Sequence, residues 1–140
     1  MIQRIQSIWL LLAAIVMMLT FKWPFATGTT MVNNVLSPTK VYANTTVPTL
    51  LLAVAFIIIN LVVIFLYNNR KLQMKVLAAA IVLGLLNVYL LYNNTSSLID
   101  YTYSLSAVLP LFATGFVISA VHAIWQDDKK VTEMNSDRLR

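Results

Sequence analysis

Residues 49–92, TLLLAVAFIIINLVVIFLYNNRKLQMKVLAAAIVLGLLNVYLLY, hold two apolar runs joined by the link Asn68-Asn69-Arg70-Lys71-Leu72-Gln73-Met74-Lys75. No charged residue stands between Lys40 and Arg70, or between Lys75 and Asp100. The runs Thr49–Tyr67 and Val76–Tyr92 approach the ~20 residues that carry a helix, at ~1.5 Å per residue, across a ~30 Å hydrocarbon core. Neither shows the polar stripe of a helix on a soluble core, and neither alternates like a barrel strand. Backbone polar groups in lipid must be satisfied within the segment, so both runs are read as transmembrane helices. The link is long enough only for a tight turn, which makes them antiparallel neighbours. Its cations Arg70, Lys71 and Lys75 place that turn in the cytoplasm.

Composition narrows the class. Of 140 residues, 59% are hydrophobic and 11% charged, against about 25% charged in a soluble average. This is room for four spans in one domain, residues 1–140, and little else. The formal charge of +5 does not point to nucleic acid, because the cations cluster at the ends of apolar runs and not on a folded face. With no cysteine and one histidine, disulfides, thiolate chemistry and a His- or Cys-built metal site are not expected, nor is a cofactor.

The expected spans are about 5–22, 49–67, 76–92 and 105–125, with an outer loop at 23–48 and a cytoplasmic tail at 126–140. The first apolar run resembles a signal peptide, with Ala26-Thr27-Gly28 as a small-residue cleavage site. Trp9 and Trp23, read as interfacial anchors, favour a retained helix. The outer loop allows a small hairpin, Thr29–Val35 and Lys40–Thr45, turning at Leu36-Ser37-Pro38-Thr39. Asn93–Ser104 reads as a polar outer loop, and Pro110 as a kink in the fourth helix. Inner segments then hold Arg4, Arg70, Lys71, Lys75, Lys129, Lys130, Arg138 and Arg140, and outer segments hold Lys22 and Lys40, so both termini are expected inside.

Polar groups within the spans are few. Asn60 and Asn87 fall ~17 Å and ~8 Å from the outer ends of their helices, too far apart to bond each other. Each is expected to bond across to another helix, for ~0.6–2 kcal/mol, with substrate contact the alternative for Asn60. His122 reads as an interfacial histidine, with a proton-relay role as the alternative. Ala80-Gly84-Asn87 and Gly115-Ser119-His122 form small-residue stripes of the kind along which helices approach closely. The carboxylates Asp127, Asp128, Glu133 and Asp137 lie in the tail and Asp100 stands outside, so no catalytic set assembles. The terminal Asp137, Arg138, Leu139 and Arg140 read as a solvated basic end, or as a docking peptide for a partner.

The opening Met1-Ile2-Gln3-Arg4-Ile5-Gln6-Ser7-Ile8-Trp9-Leu10 and the closing Asp137-Arg138-Leu139-Arg140 resemble an uncharacterised family of small bacterial membrane proteins, catalogued as a domain of unknown function. The link Tyr67–Gln73 and Leu109-Pro110 are similar to it as well. The resemblance implies a four-span protein of a Gram-negative inner membrane, and brings no activity with it. The expected fold is therefore an all-α, antiparallel four-helix transmembrane bundle with both termini cytoplasmic. The expected role is a non-enzymatic accessory or assembly subunit of a larger membrane complex, in export or envelope machinery. Its expected partners are the lipid bilayer and a membrane protein or further copies of the chain, with no nucleic acid. The alternative is a small oligomeric transporter or channel using Asn60, Asn87 and His122.

Overall fold

A computed structural model describes residues 3–66 and 68–138. Four helices, α1 (Gln3–Leu19), α2 (Val47–Phe65), α3 (Arg70–Ser96) and α4 (Leu109–Arg138), pack in a ring, with α1 and α3 each lying against both α2 and α4. α2, α3 and the segment Leu105–Arg138, where a 3-10 turn at Leu105–Val108 leads into α4, are long and apolar enough to cross a membrane. The 17 residues of α1 extend only about 25 Å, short of a ~30 Å core. Length and composition thus support three crossing helices where four were expected.

The expectation of a helix-only bundle is overturned by a three-stranded antiparallel sheet at one end of the helices, in the order β2 (Val35–Val41), β1 (Ala26–Val32), β3 (Ile99–Tyr103). The hairpin lies where one was allowed, but it turns elsewhere. Asn33 and Asn34 both have positive φ, 52° and 63°, the pair of left-handed residues that a two-residue hairpin turn demands and that asparagine tolerates. Pro38, expected in the turn, sits instead in the edge strand β2, where a residue without an N–H is tolerated. The third strand occupies the stretch expected to be a polar loop. Ile99, Tyr101 and Tyr103 alternate with Asp100 and Thr102, a period of two in residues suited to a pleated surface. Asp100, at φ 50°, forms the irregularity that shifts the pairing of β3 on β1 between Thr27 and Thr29. Gly28 sits against it: a Cβ there would stand 3.0 Å from Leu98 Cβ and 3.2 Å from Tyr101 Cα.

The sheet is tied to the helices through Pro24 and Phe25. Phe25 N donates to Val41 O at 2.6 Å, Ser104 N donates to Phe25 O at 3.1 Å, and Ser106 Oγ donates to Pro24 O. Ala26, one of the residues considered for signal-peptide cleavage, is fully buried and pairs with Val41 on one side and Tyr103 on the other. A small cluster of Phe25, Ala26, Val41, Leu91 and Leu98 joins the sheet to the end of α3. Pro110 does not kink a long helix, because α4 begins at Leu109. Proline fits the first turn, where its missing N–H would have had no partner within the helix.

Between the two ends, the helices meet through small residues. Ala13, Ala53, Ala80, Ala113 and Ala120 are fully buried beside Leu10, Met17, Phe56, Leu77 and Val117. Of the two expected stripes, only that of α3 is buried, and it extends over Gln73, Leu77, Ala80, Gly84, Asn87, Leu91 and Thr95. The buried residues of α4 are Pro110, Ala113, Thr114, Val117, Ala120 and Ile124, while His122 is exposed. Trp9, expected at an interface, is half-buried, with its ring 5.5 Å from that of Phe116 on α4.

The two helical glycines separate these roles. A Cβ on Gly84 would meet Thr114 Oγ1 at 2.6 Å and Phe56 Cε2 at 2.9 Å, whereas one on Gly115 would meet nothing within 4 Å. Gly84→Ala is expected to destabilise the protein by about 1–3 kcal/mol through overpacking. Gly115→Ala should be neutral or stabilising by up to ~1 kcal/mol through helix propensity. Unfolding by SDS titration from mild detergent measures both.

Candidate functional site

Each helix places a buried polar side chain near the sheet end: Thr20 after α1, Thr49 on α2, Asn87 and Thr95 on α3, and Thr114 on α4. The threonine hydroxyls donate back along their own chain, Thr20 to Met17 O, Thr49 to Thr46 O, Thr95 to Leu91 O and Thr114 to Pro110 O, at 2.6–2.9 Å. Such bonds satisfy the hydroxyl without joining helices. Asn87 does join them. Its Nδ2 donates to Thr49 O at 2.9 Å, and near the same end Asn94 Nδ2 donates to Thr46 Oγ1 at 3.1 Å. At the opposite end Gln73 Nε2 reaches Val63 O at 3.4 Å, in the same antiparallel register of α2 on α3.

The structure separates the three intramembrane candidates. Asn60, fully buried, donates through Nδ2 to Phe56 O of its own helix at 2.7 Å. Asn87 lies level with Thr49, eleven residues or ~16 Å along α2 from Asn60. His122 is exposed, with Nε2 3.5 Å from Gln126 Nε2 and its ring 6.4 Å from that of Trp125. The three do not line one path. Among the described residues, the Oδ1 atoms of Asn60 and Asn87 are buried without a hydrogen-bond partner.

Sequence reasoning missed the ion pairs at the link end. Arg70, the first residue of α3, sits 3.2 Å from Asp127 Oδ2 and 3.8 Å from Asp128 Oδ1. Asp127, at 13% side-chain exposure, is the more sheltered partner. A signal was available: Arg70 in the link and Asp127-Asp128 after the last apolar run were expected at one membrane face. Beyond this clasp the expected tail is helical, since α4 continues unbroken to Arg138. Its residues from 128 to 138 are exposed, including Val131, Met134, Asp137 and Arg138, while Leu139 and Arg140 lie outside the described residues. Lys129 Nζ stands 5.9 Å from the Trp125 ring centre, a cation over an aromatic where the apolar part of α4 ends.

At the sheet end, aromatic rings gather outside the helices. Tyr103 meets Phe25 edge-on at 5.9 Å, stacks on Tyr92 at 6.2 Å and meets Tyr101 at 5.5 Å. Desolvation in this cluster, with the nearby Tyr92 and Tyr101 hydroxyls adding to it, raises the Tyr103 hydroxyl above its ordinary range. Beside the cluster lies an open groove of about 440 Å³, walled by Trp23 and Pro24 on one side and by Leu105, Val108, Leu109 and Phe112 on the other. Among the described residues, no three His, Asp or Glu side chains gather as a metal-binding group.

Replacing each asparagine by alanine distinguishes their roles. Asn60→Ala removes a bond within one helix, which survives in a helix separated from its neighbours. Asn87→Ala removes a bond between helices, and should cost ~0.6–2 kcal/mol more. The SDS titration checks this difference, and equal losses would contradict it.

A search of curated proteins and a search of solved structures found no match to the chain. A family model described as Domain of unknown function (DUF4293) matches residues 2–139. The chain, with its three apolar helices long enough to cross a membrane and its strands at one end, belongs to that family.

Proposed function

We propose that the protein is a non-enzymatic, multi-pass protein of the bacterial inner membrane that serves as an accessory or assembly subunit of a larger membrane complex. The observation that carries this reading is the extension of α4. From Gln126 to Arg138 the helix continues about 20 Å beyond its apolar part, with charges of both signs and side chains exposed from Asp128 to Arg138 among the described residues. It is held at its base by Arg70. A rod that buries little of itself contributes little to folding, and its Val131, Met134 and Arg138, at i, i+3 and i+7, give one face to a partner. Arg70, Lys71, Lys75, Lys129, Lys130 and Arg138 fall at this end and Lys22 and Lys40 at the sheet end, a distribution that supports a cytoplasmic rod and an outward-facing sheet. Export and envelope assembly are the kinds of machinery such a subunit suits.

The test is photocrosslinking in native membranes. A photoreactive residue at Met134 should capture one defined membrane protein, and one at the exposed, apolar Leu85 should not. A chain ending at Asp128, which keeps both ion pairs of Arg70, should lose that partner from a pull-down. Equal capture from both positions, or a partner retained without residues 129–140, would overturn the proposal.

A further inference from the structure

We propose that the groove between Trp23-Pro24 and the start of α4 is a binding site for one acyl chain of an anionic phospholipid. This stands on different residues from the α4 extension and does not depend on it. The groove's volume, about 440 Å³, is within the ~300–1,000 Å³ of small-molecule sites. Its walls are almost wholly apolar, and two of its polar groups are engaged within the fold. Ser106 Oγ donates to Pro24 O, and Ser104 N donates to Phe25 O. A lining with so little polar surface offers few partners to a polar ligand, whereas a hydrocarbon chain already in the bilayer can fill it by packing against apolar walls.

Position selects the occupant. The groove opens where α1 ends and Leu105–Val108 leads into α4, the level at which the spans meet the interface. Its rim residue Leu105 is 94% exposed, and Phe112, Leu111 and Ile118 continue an exposed apolar surface along α4. That surface is solvated by lipid in a membrane, so the groove is continuous with the region that holds acyl chains. Lys22, exposed and next to Trp23, supplies the cation for a phosphate at the headgroup level, and none of the lining residues carries a negative charge.

Native mass spectrometry of the purified full chain, with phosphatidylglycerol or phosphatidylcholine added in mild detergent, tests the site. One phosphatidylglycerol should be retained per chain, at least fivefold more than phosphatidylcholine, and Lys22→Gln should remove that preference. Val108→Trp, which fills the groove, should abolish retention. Because filling could disturb folding, Leu105→Gln serves as the second variant, at a side chain too exposed to support the fold; it should lower retention severalfold. Retention unchanged in both variants would overturn the proposal. So would a two-chain species that Leu105→Gln dissociates, which would make the occupant a second copy.

Discussion

The side chain of Asn87 reaches from α3 to the backbone of α2 at Thr49, and the approach of these helices constrains much of what surrounds them. In an apolar medium a buried amide has no water to turn to, so its donor selects one arrangement of the two helices over its neighbours. Gln73 meets Val63 in the same register at the far end. With α2 and α3 aligned in this way, Gly84 lies against Phe56 and against Thr114 of α4, and any larger residue there would separate the helices. The short side chains of the fully buried alanines then allow α1 and α4 to close the ring.

The two ends are finished differently. At the link end, charge does the work: Arg70 holds Asp127 and Asp128, so that α4 leaves the helical ring in a defined direction. At the other end, backbone hydrogen bonds join Pro24-Phe25 to β2 and to the approach to α4. The sheet that results is protected at both edges. β2 carries Pro38 and Lys40, and β3 is short and irregular at Asp100, features that discourage a further strand from adding. Its hairpin tip nevertheless exposes Met31, Val32, Val35 and Leu36.

Much of this was legible in the residues. Uninterrupted apolar runs located α2 to within two positions, and the end motifs pointed to the family, but α3 begins six residues earlier than expected, at Arg70 inside the basic link read as a turn, and ends four later. The Ala80-Gly84-Asn87 spacing marked the buried face of α3, because a seven-residue recurrence of small and polar groups keeps one side of a helix in contact. The same pattern misled on α4, where Gly115, Ser119 and His122 lie away from the buried stripe; small size permits close packing without requiring it. β3 was hidden because five residues between two helices make a strand only when β1 is placed beside them. The hairpin turn was misplaced by favouring Pro38 over Asn33-Asn34, although the paired positive φ of a two-residue turn is the stricter demand. The helical extension of α4 was hidden by its charge, which sets solvation and not backbone conformation. The ion pairs of Arg70 needed three-dimensional proximity that neither segment announces alone.

The account's central claim is that the sheet and the α4 extension lie on opposite sides of a membrane. The chain has no cysteine, so Asn34→Cys at the hairpin turn and Glu133→Cys on the extension each provide a single thiol for a membrane-impermeant maleimide applied to intact inner-membrane spheroplasts. The account predicts immediate labelling at position 34, and labelling at position 133 only after permeabilisation. Labelling of both from the outside, or of neither until the membrane is opened, would contradict it.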